Sequence, residues 1–158
     1  MLNAYAPYPR KMLNSRDIND LDPIAKEVCL KHIALCHSIG IELLITSTYR
    51  DYEEQDKLYA QGRTTPGPIV THAKAGQSWH NFKTAWDAVP LVNGKADWKV
   101  EDFPFQRMIA FGKEAGALAG YDWPEPQKDS DHFEVVPAGM TIEMAKIAFD
   151  SNGTIFAA

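Results

Sequence analysis

No run of the 158 residues comes near the 18 or so consecutive apolar positions that a membrane-spanning helix needs, so stable membrane insertion is not expected. The first residues, MLNAYAPYPRKMLNSR, lack an apolar stretch leading to a cleavage site, so they do not read as a signal peptide, and synthesis in the cytoplasm is expected. Blocks of like charge are missing too. With a formal net charge of −5 there is no basic footprint to recruit nucleic acid. Neither an internal repeat nor a low-complexity segment interrupts the chain, and its length suits one domain. A monomer is expected. Cysteine is scarce: Cys29 and Cys36 fall seven positions apart in one expected helix, which separates their Cα atoms by roughly 10 Å. A disulfide requires about 4.4 to 6.8 Å, so two buried free thiols are expected.

What is present alternates between helical and extended patterns without a regular strand–helix–strand rhythm. Residues 1–13 read as an extended arm, 14–150 as the folded domain and 151–158 as a tail that frays. Asp22-Pro23 opens a helix, since Asp22 can cap it and Pro23 suits its first position. Its apolar side reads as Ile24, Val28, Ile33, Cys36 and Ile39, with Gly40 ending it. IELLITS (41–47) reads as a buried strand, and DYEEQDKLYAQ (51–61) as a second helix ended by Gly62. Residues 62–77 hold three glycines and two prolines and form a long loop, a feature usually tied to function in compact domains. TAWDAVP reads as a strand, Asn93-Gly94 as a turn, residues 101–120 as a helix with Pro104 in its first turn, YDWPEPQKDS as a loop and DHFEVV as a strand. Thr141 to Asp150 makes the last helix. The expected fold is a small α+β domain with a mainly antiparallel sheet flanked by helices.

Two stretches carry chemistry in apolar surroundings. SWHNFKTAWDAVP sets His80 seven residues before Asp87, and KDSDHFEVV sets His132 among three carboxylates. On one straight helix His80 and Asp87 would stand two turns apart, too far to share an ion. If the chain bends at Asn81-Phe82-Lys83, a strand carrying Asp87 runs back past His80, and His132 on a second strand completes three ligands. Three protein ligands with one open position is the layout of a catalytic zinc. Spacing alone leaves the alternative open: separate histidines and carboxylates, each satisfied structurally.

The wider pattern resembles the zinc peptidases that include D-Ala-D-Ala carboxypeptidases and L-alanyl-D-glutamate endopeptidases. Their signature S-x-H-x-x-G-x-A-x-D is matched by Ser78, His80, Ala85 and Asp87, and Asp129-Ser130-Asp131-His132-Phe133-Glu134 matches their acid-x-x-His element. TSTYR (46–50) and DKLYAQGR also match, and IVTHAKAGQSWH is similar to the loop of phage-type L-alanyl-D-glutamate endopeptidases. The likeness spans roughly residues 15–137. One position departs: Lys83 stands at the signature glycine, where a left-handed backbone would strain a lysine.

The resemblance implies a zinc site in a cleft on the sheet, held by His80, Asp87 and His132. Asp129 would be the general base. Arg50 would bind a substrate carboxylate or the developing oxyanion, and Ser78 would contact substrate or a ligand. It implies action on peptidoglycan stem peptides, at the L-Ala–D-Glu bond, as in phage endolysins that reach the host wall with the help of a holin. The catalytic domain is expected to take up the whole length, with no separate wall-binding module. Two rivals remain at this point, a D-Ala-D-Ala carboxypeptidase using the same metal and a zinc-stabilised wall-binding module without hydrolysis. The presence of Asp129 speaks against the second.

Other residues have simpler readings. His72 reads as an exposed loop histidine or a pocket wall, His32 and His37 as structural or solvated. Asp131 should face away from His132 in a strand, whereas Glu134 shares its face and can orient it. Trp79, Trp86 and Trp123 read as core or cleft wall, and Arg50 has a surface alternative in pairing with Asp51 or Glu53.

Overall fold

The computed structural model describes residues 13–156; most of the expected arm lies outside the described residues. Four helices, α1 (Pro23–His37), α2 (Tyr52–Ala60), α3 (Phe103–Ala115) and α4 (Ile142–Asn152), accompany five strands. The strands are β1 (Glu42–Ser47), β2 (Ala85–Val92), β3 (Lys95–Ala96), β4 (Leu118–Ala119) and β5 (His132–Glu134). The sheet runs β1-β2-β5-β4, with β3 paired to β2 beside it, and every pairing is antiparallel. This is the expected α+β layout. No helix among the described residues is long and apolar enough to cross a membrane.

Helix α1 starts where the sequence places it. Pro23 occupies the first turn and the Asp22 carboxylate accepts the Ile24 N–H at 3.1 Å. The buried stripe differs from the expected one. Ala25, Cys29, His32 and Cys36 face the core, while Ile24 and Ile39 are each 45% exposed. Cys36 belongs to both stripes, and Val28 and Ile33 pack half-buried at the margin of the observed one. Its small side chains permit α1 to lie close to the core, and it includes a histidine that hydropathy counts as surface. Both cysteines are free and buried, and burial pushes each thiol up to about 12.

His32 earns its place through hydrogen bonds. Its Nε2–H donates to the Met108 carbonyl at 2.9 Å, its Nδ1 accepts the Trp86 indole N–H at 3.4 Å, and its ring lies 4.5 Å from that of Phe133. Burial pulls its pKa down to about 4, against the opposing pull of the Met108 bond. The folded chain therefore binds fewer protons at this site than the unfolded chain between pH about 6.5 and 4. Stability from this group is full above that window and is lost as pH falls through it, by an amount on the order of 3 kcal/mol. Denaturant titrations of metal-free protein should show this slope, and His32→Gln, less stable at neutral pH, should show a flatter one. Equal slopes would remove His32 as the cause.

The core gathers Trp86, Ala88 and Val89 of β2, Phe105, Met108 and Ile109 of α3, Phe133 of β5 and the α1 stripe. Gly112 of α3 is what lets Phe133 in: a Cβ there would sit 2.3 Å from the Phe133 ring. Three elements depart from the sequence reading. Strand β1 is a half-exposed edge strand with only Ser47 buried, because among the described residues β2 alone pairs with it. Helix α3 stops at Ala115, where Gly116 takes a left-handed conformation at φ 112°, and Leu118-Ala119 then joins the sheet. Residues 153–156 are docked rather than frayed. Ile155 is buried with Phe82 and Ala145, and the Thr154 hydroxyl donates to Asp22 at 2.6 Å.

That second cluster braces the turn that bears His80. Trp79–Phe82 form one 3-10 turn, and Lys83 follows with φ 63° and ψ 25°, after which the chain enters β2. The bend expected at 81–83 is thus made, and the lysine sits in the left-handed region a glycine would occupy without strain. Lys83→Gly should raise stability by about 0.5–1 kcal/mol, read from the urea midpoint. An unchanged or lowered midpoint would mean that the Lys83 ammonium over the Tyr49 ring, at 5.1 Å, offsets the strain.

Candidate metal centre and substrate cleft

Register brings the ligands together. Asp87 of β2 lies opposite His132 of β5 and opposite Ser47 of β1, so the three side chains share one face in a row across the sheet. The 3-10 turn lays His80 over this row. His80 Nε2 is 3.1 Å from Asp87 Oδ1 and 3.2 Å from His132 Nδ1, and His132 Nδ1 is 3.2 Å from Asp87 Oδ1. Four-coordinate zinc with bonds of about 2.0–2.2 Å puts its ligand atoms roughly 3.4 Å apart, so the triangle fits such an ion. Among the described residues, it is the one group of three or more His, Cys, Asp or Glu that can share a metal.

The outer nitrogens fix which ring atom faces inward. His80 Nδ1–H donates to the Thr48 carbonyl at 2.6 Å, leaving Nε2 free to coordinate. His132 is reversed: its Nε2–H donates to the Glu134 carboxylate at 2.8 Å, leaving Nδ1. Such partners set tautomer and ring orientation in metal sites. Glu134 is therefore where the strand alternation put it, two residues along the ligand face.

Electrostatics in the metal-free protein follow from burial and pairing. Burial alone would raise the Asp87 carboxyl, but attraction to His80 and hydrogen bonds from His132 and His80 hold it well below the usual carboxylate range. Burial opposes charge on His132, yet bonds to Asp87 and Glu134 push it up to about 10. A proton and a metal ion thus compete for the same Nδ1.

Arg50 lies inward beside Asp87 rather than in a surface pair with Asp51 or Glu53. Its Nη2 is 4.0 Å from Asp87 Oδ2 and donates to the Ser47 hydroxyl at 3.2 Å, and its Nη1 donates to Gln55 at 3.1 Å. Burial lowers its pKa against the opposing pull of Asp87, Glu54 and Asp129. Its Nε is buried and has no hydrogen-bond partner.

The site opens on a cavity of about 740 Å³. Arg50, His80, Asp87 and His132 line its floor. One wall is the long loop, with Ile69 to Ala73 and Gln77-Ser78, and the other is Trp123 and Pro126 to Asp129. Ser78 and His72 both reach the cavity, and His72 is exposed there. The Trp123 ring lies 4.9 Å from that of His132. Asp129 is exposed on the second wall, held by its N–H bonding the Gly120 carbonyl at 3.0 Å. Gly120 permits this closeness, since a Cβ there would lie 2.5 Å from the Asp129 carbonyl oxygen and 3.1 Å from His132 Cβ.

Asp131 does not line the cavity, and since strand β5 begins only at His132, alternation by itself does not decide its side. Its carboxyl bonds that of Asp129 and, through burial first and then the charges of Asp87 and Asp129, is pushed up to about 8.

Sequence reasoning passed over Gln55 and Asn81. Both are buried, and both bond the Arg50 segment. An amide on a helix or in a turn carries no sign in sequence of facing inward. Trp123 was left between core and cleft, and it is the cleft that it lines.

The model of the VanY D-alanyl-D-alanine carboxypeptidase family matches residues 18–134, and the chain belongs to that family. It is 35% identical over 127 residues to the peptidoglycan L-alanyl-D-glutamate endopeptidase CwlK of Bacillus subtilis (strain 168), covering 75% of each chain. Two solved structures share the fold. The L-Ala D-Glu endopeptidase ChiX of Serratia marcescens aligns with a TM-score of 0.55 at 15% identity, over 78% of this chain and 89% of that one. The vancomycin-resistance D,D-pentapeptidase VanY, in complex with Zn(II), aligns with a TM-score of 0.57 at 16% identity, over 94% and 89%.

Proposed function

We propose that this chain is a zinc-dependent peptidase of peptidoglycan stem peptides that cleaves the bond between L-Ala and D-Glu. The observation that carries the reading is the His80–Asp87–His132 triangle on the floor of a cleft with Asp129 on its wall, in a chain 35% identical to an endopeptidase of that bond. When bound, zinc supplies Lewis acidity that brings deprotonation of a water into the neutral range. His80, Asp87 and His132 hold it, and Thr48 and Glu134 keep the two rings aimed. Asp129 takes the proton of the attacking water and returns it to the leaving amine. Arg50, which lines the cleft, receives a substrate carboxylate or the oxyanion that develops as the carbonyl is attacked. Ser78 contributes a hydroxyl at the rim.

The finer assignment, to lysis enzymes of the phage endolysin type that meet the wall after release from the cytoplasm, rests on the likeness of the 69–80 loop. Domain limits of 14–150 and a single-chain working form belong to the same proposal.

The test is turnover of purified peptidoglycan. Clearing should stop when a chelator strips the protein and return when about one equivalent of zinc is restored. Clearing that persists through chelation would remove the metal from the reaction.

A further inference from the structure

The long loop that walls the cleft has no helix or strand of its own, apart from a single bridge between Gln61 and Thr65. It is nonetheless tied down by side chains that line no part of the cavity: Asp56, Gln61 and Arg63 bond it at Ala75, Pro68 and Thr71, and two buried amides bond it to Arg50. Gln55 is fully buried and is the one buried residue of α2. Its Oε1 accepts Arg50 Nη1 at 3.1 Å, and its Nε2 donates to the Ala73 carbonyl at 2.8 Å, with the Thr71 hydroxyl at 3.4 Å. Asn81 is 1% exposed. Its Oδ1 accepts the N–H groups of Gly76 and Ser78 at 3.0 and 3.3 Å, and its Nδ2 donates to the Arg50 carbonyl at 2.9 Å.

Each amide therefore spends its acceptor on one side and its donor on the other. Gln55 joins the Arg50 side chain to residues 71–73, and Asn81 joins the Arg50 main chain to residues 76–78. A buried amide is retained at a cost unless both ends are satisfied, and here the satisfying groups all belong to Arg50 or to the wall. We propose that Gln55 and Asn81 are positioning residues that couple Arg50 and the 71–78 wall into one rigid unit, so that the grip on substrate depends on residues that never touch it. The inference rests on the peptidase reading for its kinetic consequence, but not for its structural one.

Gln55→Met removes both bonds with little change of volume. Gln55→Glu keeps an acceptor for Arg50 but sets a carboxylate against the Ala73 carbonyl. Both variants should keep wild-type zinc content. Amide hydrogen exchange should quicken in residues 69–78 and not in α1 or α3. On a stem peptide containing the L-Ala–D-Glu bond, KM should rise about 10-fold or more while kcat stays within about threefold, the pattern of lost binding rather than lost chemistry. Asn81→Asp, which keeps the acceptor for Gly76 and Ser78 but sets a carboxylate against the Arg50 carbonyl, reads the same unit from its other tether and serves where a Gln55 variant does not fold. Wild-type exchange in 69–78, or loosened exchange with an unchanged KM, would overturn the coupling. If the wild-type protein fails to cleave any stem peptide, the peptidase reading falls, and the exchange result alone decides whether the tether exists.

Discussion

His80→Ala and His132→Ala are each expected to leave the purified chain without bound zinc and without hydrolytic activity. The three ligand atoms stand at nearly equal distances of 3.1 to 3.2 Å, so no one of them is peripheral to the site. Removing one leaves two ligands, below the three that catalytic zinc sites use. A graded companion is Glu134→Gln, which keeps all three ligands but weakens the charge-assisted bond to His132 Nε2. It should cost about 10- to 100-fold in metal affinity, as outer partners of ligating histidines do. Competition zinc titration with a chromophoric chelator reads both effects. Full zinc occupancy in both alanine variants would remove the ligand assignment.

Asp129→Asn should do the reverse, keeping zinc and fold while slowing hydrolysis by roughly 10²- to 10⁴-fold, the range for a lost general base. Three carboxylates flank His132, and the structure separates their tasks. Glu134 is buried and committed to His132 Nε2. Asp131 is bonded to Asp129 and its carboxyl is raised to about 8, so it influences the base more than it replaces it. Asp129 alone of the three lines the cavity. Asp131→Asn should therefore move the pH dependence of turnover while sparing most of its maximum. Near-normal turnover by Asp129→Asn would pass the role to Asp131 or Glu134.

The metal group was legible because its residues break the apolar pattern around them. His80, Asp87 and His132 are polar exceptions in greasy segments, and the turn between the first two has to exist if they are to meet. The register that sets Asp87 opposite His132 could not be read from either strand alone, since β5 is only three residues long and offers almost no alternation. The resemblance supplied it. Asp131 lies one residue before the strand, so alternation could not by itself assign its side. Helix α1 was read from hydropathy, which turned Ile24 and Ile39 inward and passed over His32, a histidine that takes a core position because it is bonded on both nitrogens. The tail was assigned to solvent for its place in the chain, whereas Ile155 finds a pocket beside Phe82 that only the folded turn creates. Gln55 and Asn81 show the limit most plainly. What makes them buried is the carbonyl and N–H groups of distant segments, and nothing near them in sequence announces those partners.

The central claim concerns one bond, and end-group analysis of digested peptidoglycan tests it directly. Products of the purified zinc-loaded protein should carry new amino-terminal D-glutamate, with the glycan strands intact and L-alanine left on the sugar side. Release of free D-alanine without new D-glutamate termini would contradict the account and assign the same cleft to a carboxypeptidase.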